Sequence, residues 1–199
     1  MKIHVKKIFI ICVLIITIFF TNLHIVYATD NDTDAPEITS GSAILIDNKT
    51  NRILYDKNAY ERMFPASTTK IMTAILVLEN CDLDEIVTAS YDAIMNIPEG
   101  YVTAEIKGEE QFTVEQLLEM LLVHSANDAG NVLAEYVGGS IDSFVSMMNT
   151  KVNELGLNNT HFTNPYGLQE DNHYTTAYDL AKIMQYCIQN DDFRRIAGS

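Results

Sequence analysis

The most restrictive feature of this 199-residue sequence is an apolar segment, residues 67–79, that contains neither glycine nor proline. Apart from its first few residues, the segment has almost no polar side chains. A helix that is apolar on all sides has to be surrounded by other elements. The segment is therefore predicted to be a helix in the middle of a domain.

The segment is preceded by a pattern typical of a β-hairpin. Residues 42–58 contain two short runs rich in Ile, Leu and Tyr, separated by the polar residues NKTN. Such runs around a polar turn predict two antiparallel strands. An isolated hairpin is only marginally stable, so the central helix is expected to cover it.

The rest of the chain is predicted to be mainly helical. Thr113 and Gln116 form a capping box before the run LLEMLLV, which predicts a buried helix ending near His124. No strand is expected after the hairpin, and the predicted class is therefore α+β and rich in helices. The other predicted helices are one capped by Asn127 or Asp128 and closed by Gly138 and Gly139, one from Ser140 to Leu155 ended by Gly156, and one capped by Thr176 with Asp179.

The N-terminus has the pattern of a secretory signal peptide. Three lysines precede an apolar stretch at 8–20 and a short small-residue ending at Ala28. Residues 1–28 are predicted to be the signal peptide, with a single membrane anchor as the alternative. Residues 29–39 are polar and acidic and are expected to form a flexible leader, followed by the domain at 40–199.

Composition and charge exclude several functional classes. The net charge of −14 would repel a phosphate backbone, so nucleic acid is not expected as a partner. Cys81 and Cys187 are too few for a disulfide framework and are expected to be buried thiols. The histidines at 124, 161 and 173 lack metal-ligand spacing, so neither a metal nor another cofactor is expected.

The start of the apolar helix contains a candidate for nucleophilic catalysis. Ser67 and Lys70 are three residues apart, which places both side chains on one helix face. A serine hydroxyl needs a neighbouring base, and burial lowers the pKa of a lysine so that it can be that base. The spacing alone favours the alternative of a capping serine followed by a lysine that extends to the surface.

A second motif follows at a junction between two predicted helices. Ser125, Ala126 and Asn127 form the sequence SAN. Alone, Ser125 and Asn127 would be helix caps. In this order, however, STTK and SAN resemble the motifs S-x-x-K and S-D-N of penicillin-binding proteins and class A β-lactamases, whose third motif is K-T-G.

Longer segments carry the same resemblance over nearly all of residues 40–199. They include SAILIDNKTNRILYDKNAYERMFPASTTKIMTA, LLVHSANDAGNVLAEYVGG, FVSMMNTKVNELGLNNTHFTNPYGL and HYTTAYDLAKI. The sequence resembles the serine D-alanyl-D-alanine carboxypeptidases, the low-molecular-mass penicillin-binding proteins. The resemblance implies the β-lactamase/transpeptidase-like, penicillin-recognising fold.

The resemblance also implies a mechanism and its residues. Ser67 would attack the carbonyl between the two terminal D-alanines of a peptidoglycan stem peptide, and Lys70 would be its general base. Ser125 would relay a proton to the leaving amine, and Asn127 would bind Lys70 or the substrate backbone. β-Lactams would acylate Ser67 as inhibitors. Residues 164–168, His173, Thr176 and Asp179 are interpreted as scaffold: a turn and helix caps.

The resemblance further implies that the protein is exported and works in the cell wall or at the outer face of the cytoplasmic membrane. Membrane contact would come from an uncleaved signal or a C-terminal anchor.

The sequence departs from the family pattern at one point. No K-T-G occurs in these 199 residues, although the family has it on a strand after HYTTAYDLA that contributes to the oxyanion hole. The chain is therefore expected to be an incomplete catalytic domain that ends before the C-terminal strands of the antiparallel sheet, and to be inactive by itself. A non-catalytic remnant that binds wall peptide or a partner is the alternative. A β-lactamase is a further alternative. Class A enzymes use a glutamate for deacylation, but none of Glu135, Glu154 and Glu170 stands in a position recognisable for that role.

Overall fold

The computed structural model describes residues 36–95, 97–98 and 100–199. The predicted signal peptide and most of the predicted leader lie outside these residues. The elements described below belong to one unit, Thr39–Ser199. No helix within the described part of the chain is long and apolar enough to cross a bilayer.

The unit begins with the predicted hairpin. Strands β1 (Ala43–Ile46) and β2 (Ile53–Lys57) pair antiparallel, with a register shift after Leu45. The carboxylate of Asp47 closes the turn by accepting hydrogen bonds from the backbone N–H of Lys49 and Thr50. Strand β1 contacts the later helix Ala177–Cys187, and not mainly the central helix as expected.

The central helix forms as predicted, but its first turn is wound more tightly. Ala66–Thr69 is a 3₁₀ turn, and helix α1 continues from Lys70 to Asn80. Thr68 stabilises the turn because its hydroxyl and its backbone N–H both donate to the carbonyl of Pro65, at 2.6 and 3.2 Å. The side chains of α1 from Met72 to Val77 are buried.

Six further helices complete the unit. They are α2 (Tyr91–Met95), α3 (Val114–Leu122), α4 (Asn127–Gly138), α5 (Ile141–Glu154), α6 (Ala177–Cys187) and α7 (Asp191–Ala197). Helix α1 contacts α3, α4, α5, α6 and α7. The core is therefore built around α1, from its own apolar residues together with those facing it, among them Leu117, Leu118, Leu121, Leu133, Phe144, Met148, Ile183 and Phe193.

Two expectations about the elements are wrong. Strands β3 (Ile86–Thr88) and β4 (Gln111–Thr113) form a second antiparallel pair after the hairpin. Strands of three residues are too short to show a period in the sequence. Helix α7 was not expected either, although the Asn190 side chain caps it by accepting from the Phe193 N–H.

The cysteines remain free thiols, and only one is fully buried. Cys187 is inaccessible and its thiol donates to the carbonyl of Ile71. Cys81 follows the end of α1 and is half-buried. The expectation of two buried thiols is therefore right for Cys187 alone.

Replacing Thr113 by alanine tests the capping box of α3. The Thr113 hydroxyl accepts from the Gln116 N–H at 3.1 Å, and the Gln116 side chain accepts from the Thr113 N–H at 2.9 Å. Thr113→Ala should lower the free energy of unfolding by about 1 kcal/mol. Urea denaturation measures this change, and Ser143→Ala, at an exposed position of α5, is the control. Equal stability of the two variants would contradict the capping role.

Candidate active site

The tight turn before α1 aligns Ser67 with Lys70. A 3₁₀ turn has three residues, so side chains at i and i+3 lie directly above one another. The Lys70 Nζ is 3.4 Å from the Ser67 Oγ. Ser67 is exposed, whereas Lys70 is only 2% exposed. An accessible hydroxyl therefore contacts a buried amine.

Two other acceptors orient the Lys70 amine. Its Nζ donates to Asn127 Oδ1 at 2.6 Å and to the backbone carbonyl of Tyr166 at 2.9 Å. A neutral amine has two N–H donors and one lone pair. When these two acceptors take both N–H groups, the lone pair is left facing the Ser67 hydroxyl. This is the orientation that a general base requires.

Burial also sets the charge of this amine. The pKa of Lys70 is lowered to about 8, and removal of the amine from water is the cause. No salt bridge to Lys70 occurs among the described residues, so no carboxylate there opposes the shift. At pH 7 roughly one molecule in ten then carries the neutral amine that can act as a base.

The SAN motif places its two polar residues differently. Asn127 is the first residue of α4 and is buried, and its backbone N–H donates to the carbonyl of Val102 at 2.9 Å. Ser125 is half-buried and lies in the left-handed region, with φ of 58°. Its hydroxyl forms no hydrogen bond with a described residue. The structure thus brings Asn127 onto Lys70 and leaves the Ser125 hydroxyl without a partner in the described part of the chain.

The N-cap residue of α4 is Ala126 and not the predicted Asn127 or Asp128, and the N-cap side chain makes no hydrogen bond to the helix. The buried carboxylate of Asp128 accepts from the Ala129 N–H in the first turn at 3.0 Å. It also accepts from the backbone N–H groups of Ala104 and Ile106, at about 3 Å. The Asp128 carboxylate therefore holds the loop that contains Ala104 and Ile106 against α4.

Residues 164–168 form the predicted turn but do more than connect. The Asn164 Oδ1 accepts from the N–H of Gly167 at 2.7 Å and of Leu168 at 2.9 Å, which closes the turn. Within this turn, the backbone carbonyl of Tyr166 accepts the hydrogen bond from Lys70. The sequence gives no signal for the Tyr166 carbonyl as a partner of Lys70, because every residue carries a backbone carbonyl.

His173 connects Thr163, which precedes the turn 164–168, with Thr69 of the 3₁₀ turn that contains Ser67. It is 1% exposed, with Nε2 2.8 Å from the Thr69 Oγ1 and Nδ1 accepting from the Thr163 N–H at 3.0 Å. Burial lowers the pKa of His173 to about 4, so the ring is neutral at pH 7. His173 is thus part of the scaffold, as the sequence analysis expected.

The caps expected for the helix at residue 177 are present. The Thr176 hydroxyl accepts from the N–H of Asp179 at the start of α6. The Asp179 carboxylate in turn accepts from the Thr160 hydroxyl at 2.8 Å. This buried network holds the start of α6. Thr175, just before that start, pairs with Met63, which lies shortly before the 3₁₀ turn that contains Ser67.

Three open pockets in the described part of the chain lie outside this group of residues. One of about 480 Å³ lies between α1 and α5, one of about 280 Å³ lies between α1 and the end of α6, and one of about 260 Å³ lies beside Pro65 and Thr68. None of these three is lined by Ser67, Lys70 or Asn127.

A known protein family matches most of the chain. The D-alanyl-D-alanine carboxypeptidase family, peptidase S11, matches residues 29–198. The chain belongs to this family. Among curated relatives, D-alanyl-D-alanine carboxypeptidase DacF of Bacillus subtilis is 38% identical over 164 residues, which are 79% of this chain and 41% of DacF. DacA of Escherichia coli is 36% identical over 78% of this chain and 40% of its own length.

Solved structures of the family share the fold. The carboxypeptidase DacD from Francisella tularensis superposes with a TM-score of 0.76 at 34% identity, over 81% of this chain and 40% of that one. The Streptomyces K15 DD-transpeptidase gives a TM-score of 0.77 at 35% identity, over 81% of this chain and 65% of that one. These matches confirm the predicted family and fold class. The chain spans about two fifths of the length of the curated relatives DacF and DacA.

The buried His173 predicts a pH dependence of stability. In the unfolded chain a histidine binds a proton near pH 6.5, but in the folded protein His173 resists protonation until about pH 4. Its contribution is therefore complete above pH 6.5 and is lost as the pH falls towards 4, by up to about 3 kcal/mol. Urea denaturation at pH 7 and pH 4.5 should show a smaller loss for His173→Gln than for the unchanged protein. Equal losses would show that His173 is not the cause.

Proposed function

We propose that this chain supplies the nucleophile and the base of a serine D-alanyl-D-alanine carboxypeptidase, which removes the terminal D-alanine from peptidoglycan stem peptides. The observation that supports this most directly is the contact between the exposed Ser67 hydroxyl and the buried Lys70 amine. The names of the family and of its curated relatives support the reaction and the substrate class.

The acylation step uses the orientation of the Lys70 amine. As the Ser67 Oγ attacks the carbonyl carbon of the penultimate D-alanine, its proton moves to the lone pair on Lys70 Nζ. The tetrahedral intermediate then collapses, and the bond between the carbonyl carbon and the nitrogen of the terminal D-alanine breaks. That nitrogen takes up a proton through the Ser125 hydroxyl, and the peptide remains as an ester on Ser67.

The deacylation step restores the enzyme. A water molecule attacks the ester carbonyl and gives up a proton to the Lys70 amine. The bond between the carbonyl carbon and the Ser67 Oγ then breaks, and the Oγ regains its proton. A β-lactam follows only the first step. Its cleaved amide nitrogen stays attached to the acyl group, so the adduct on Ser67 persists and the compound inhibits.

The proposed location follows from the substrate and from the N-terminal sequence. Peptidoglycan lies outside the cytoplasmic membrane, so the protein is exported to the cell wall or to the outer face of that membrane. Membrane contact, where it occurs, comes through an uncleaved signal or a C-terminal anchor. The strongly acidic composition accords with a partner that is not a nucleic acid.

Labelled penicillin tests the proposal. We expect a stable covalent adduct on Ser67, located by mass spectrometry of the digested protein, and none on Ser67→Ala. Lys70→Ala should be acylated at least about 100-fold more slowly, because it removes the base. Acylation of Lys70→Ala at the unaltered rate would contradict the mechanism.

A second arm separates a missing chain segment from a wrong assignment. The chain is tested alone and also continued by the part of DacF that follows the aligned segment. An adduct on either form supports the roles of Ser67 and Lys70, and an adduct on the extended form only shows that further residues are needed for acylation. Absence of an adduct on both folded forms would favour the non-catalytic alternative.

The pKa of Lys70 predicts the pH dependence of acylation. The protonated amine cannot accept the Ser67 proton, so the rate should rise with pH through about 8 and level off above it. Stopped-flow or gel measurements of adduct formation between pH 6 and 9.5, corrected for the hydrolysis of free penicillin, give this profile. A rate that stays constant across this range would contradict a neutral Lys70 as the base.

A further inference from the structure

The turn 164–168 contacts the nucleophile helix through consecutive backbone groups. The carbonyl of Pro165 accepts from the Thr73 hydroxyl at 2.5 Å, and the carbonyl of Tyr166 accepts from Lys70 Nζ at 2.9 Å. Thr73 and Lys70 are one helical turn or less apart on α1. Two successive carbonyls of the turn are therefore bonded to one face of the helix that carries the base.

The next residue, Gly167, lies against the backbone just before the nucleophile. A β-carbon at Gly167 would be 1.9 Å from the carbonyl oxygen of Ala66 and 2.3 Å from its carbonyl carbon. Both are rigid backbone atoms, so a side chain at position 167 cannot be accommodated by a rotamer change. Gly167 also has φ of +96°, a region that other residues rarely adopt. Position 167 therefore requires glycine for two separate reasons.

The turn itself cannot absorb a displacement at Gly167 without moving Tyr166. The Asn164 Oδ1 accepts from the N–H groups of both Gly167 and Leu168, and the Asn164 Nδ2 donates to the Leu168 carbonyl at 2.9 Å. These bonds make residues 164–168 one rigid piece. A methyl group at position 167 would thus move the Tyr166 carbonyl away from Lys70.

We propose that Gly167 is a positioning residue for the acyl-transfer step: its lack of a side chain lets the turn close on Ala66 and hold the Tyr166 carbonyl on the Lys70 amine. This inference rests on the proposed function. It assigns to the turn a role in the chemistry, beyond the connecting role that the sequence indicates.

Loss of this closure has two effects on Lys70. The amine loses one of the two acceptors that direct its lone pair to the Ser67 hydroxyl. Water also gains access to the amine, and since removal from water is what lowers the pKa of Lys70, that pKa rises. Both effects reduce the fraction of molecules in which the base is neutral and correctly oriented.

The test measures Lys70 directly, by NMR titration of the chain with ¹³Cε-labelled lysine. The Lys70 signal is assigned by its absence in Lys70→Met. Gly167→Ala should raise the titration midpoint by about one pH unit, which reduces the neutral fraction at pH 7 about tenfold. The pH profile of penicillin acylation should move in the same direction by the same amount.

Gly156→Ala is the matched control. Gly156 also has a left-handed backbone, with φ of +71°, but a β-carbon there would meet nothing within 4 Å. Alanine at position 156 therefore carries the cost of a positive φ without the clash. Gly156→Ala should reduce stability and leave the Lys70 midpoint unchanged.

Thr73→Val decides the question if Gly167→Ala does not fold. It removes only the hydrogen bond between α1 and the Pro165 carbonyl, and a smaller rise of the Lys70 midpoint is expected. An unchanged midpoint in folded Gly167→Ala, or in Thr73→Val when the first variant is unfolded, overturns the positioning role. Absence of acylation in both the unchanged chain and its extended form overturns the proposed function instead, because the NMR measurement does not depend on activity.

Discussion

The structure depends on the burial of one amine. Lys70 is the first residue of the central helix α1 and is itself buried, so an unpaired ammonium group there would be costly. Hydrogen bonds from Lys70 to Ser67, Asn127 and the Tyr166 carbonyl satisfy all three donors of the charged form. The site can therefore hold the amine in either charge state, while desolvation favours the neutral one. The acceptors come from three separate parts of the chain, so the site exists only when all three are packed together.

Two of the six non-glycine residues with positive φ in the described part of the chain lie at this site. Ala66, just before Ser67, has φ of 48°, and Ser125 has φ of 58°. A residue other than glycine costs roughly 1 kcal/mol or more in this region. The surrounding core compensates for this cost, since α1 and α4 are packed against each other and contribute many of its buried side chains. Ala66 lies immediately before the S-x-x-K motif, and Ser125 is the first residue of the SAN motif.

The sequence predicted the parts of this site that depend on local spacing. The contact between Ser67 and Lys70 follows from three-residue spacing at a helix start, and the position of α1 follows from its all-round apolar surface. The contact with Asn127 came from family resemblance, because residues 57 positions apart in the chain show no spacing signal.

Other features of the structure could not be predicted from the sequence, for physical reasons. The Tyr166 carbonyl has no residue-specific signature, and the close contact of Gly167 with Ala66 joins distant parts of the chain. Strands β3 and β4 are too short for periodicity. Helix α7, in contrast, carried a readable signal that was not used: Asn190 as a cap, with acidic residues in the first turn and basic ones in the last.

The dependence of Lys70 on desolvation would also limit the reactivity proposed for Ser67. Any local opening that exposes the amine to water favours the ammonium form, which is not a base. A partly folded or transiently opened molecule would then carry an ordinary serine hydroxyl. The proposed acyl transfer is thereby confined to molecules whose packing around Lys70 is complete.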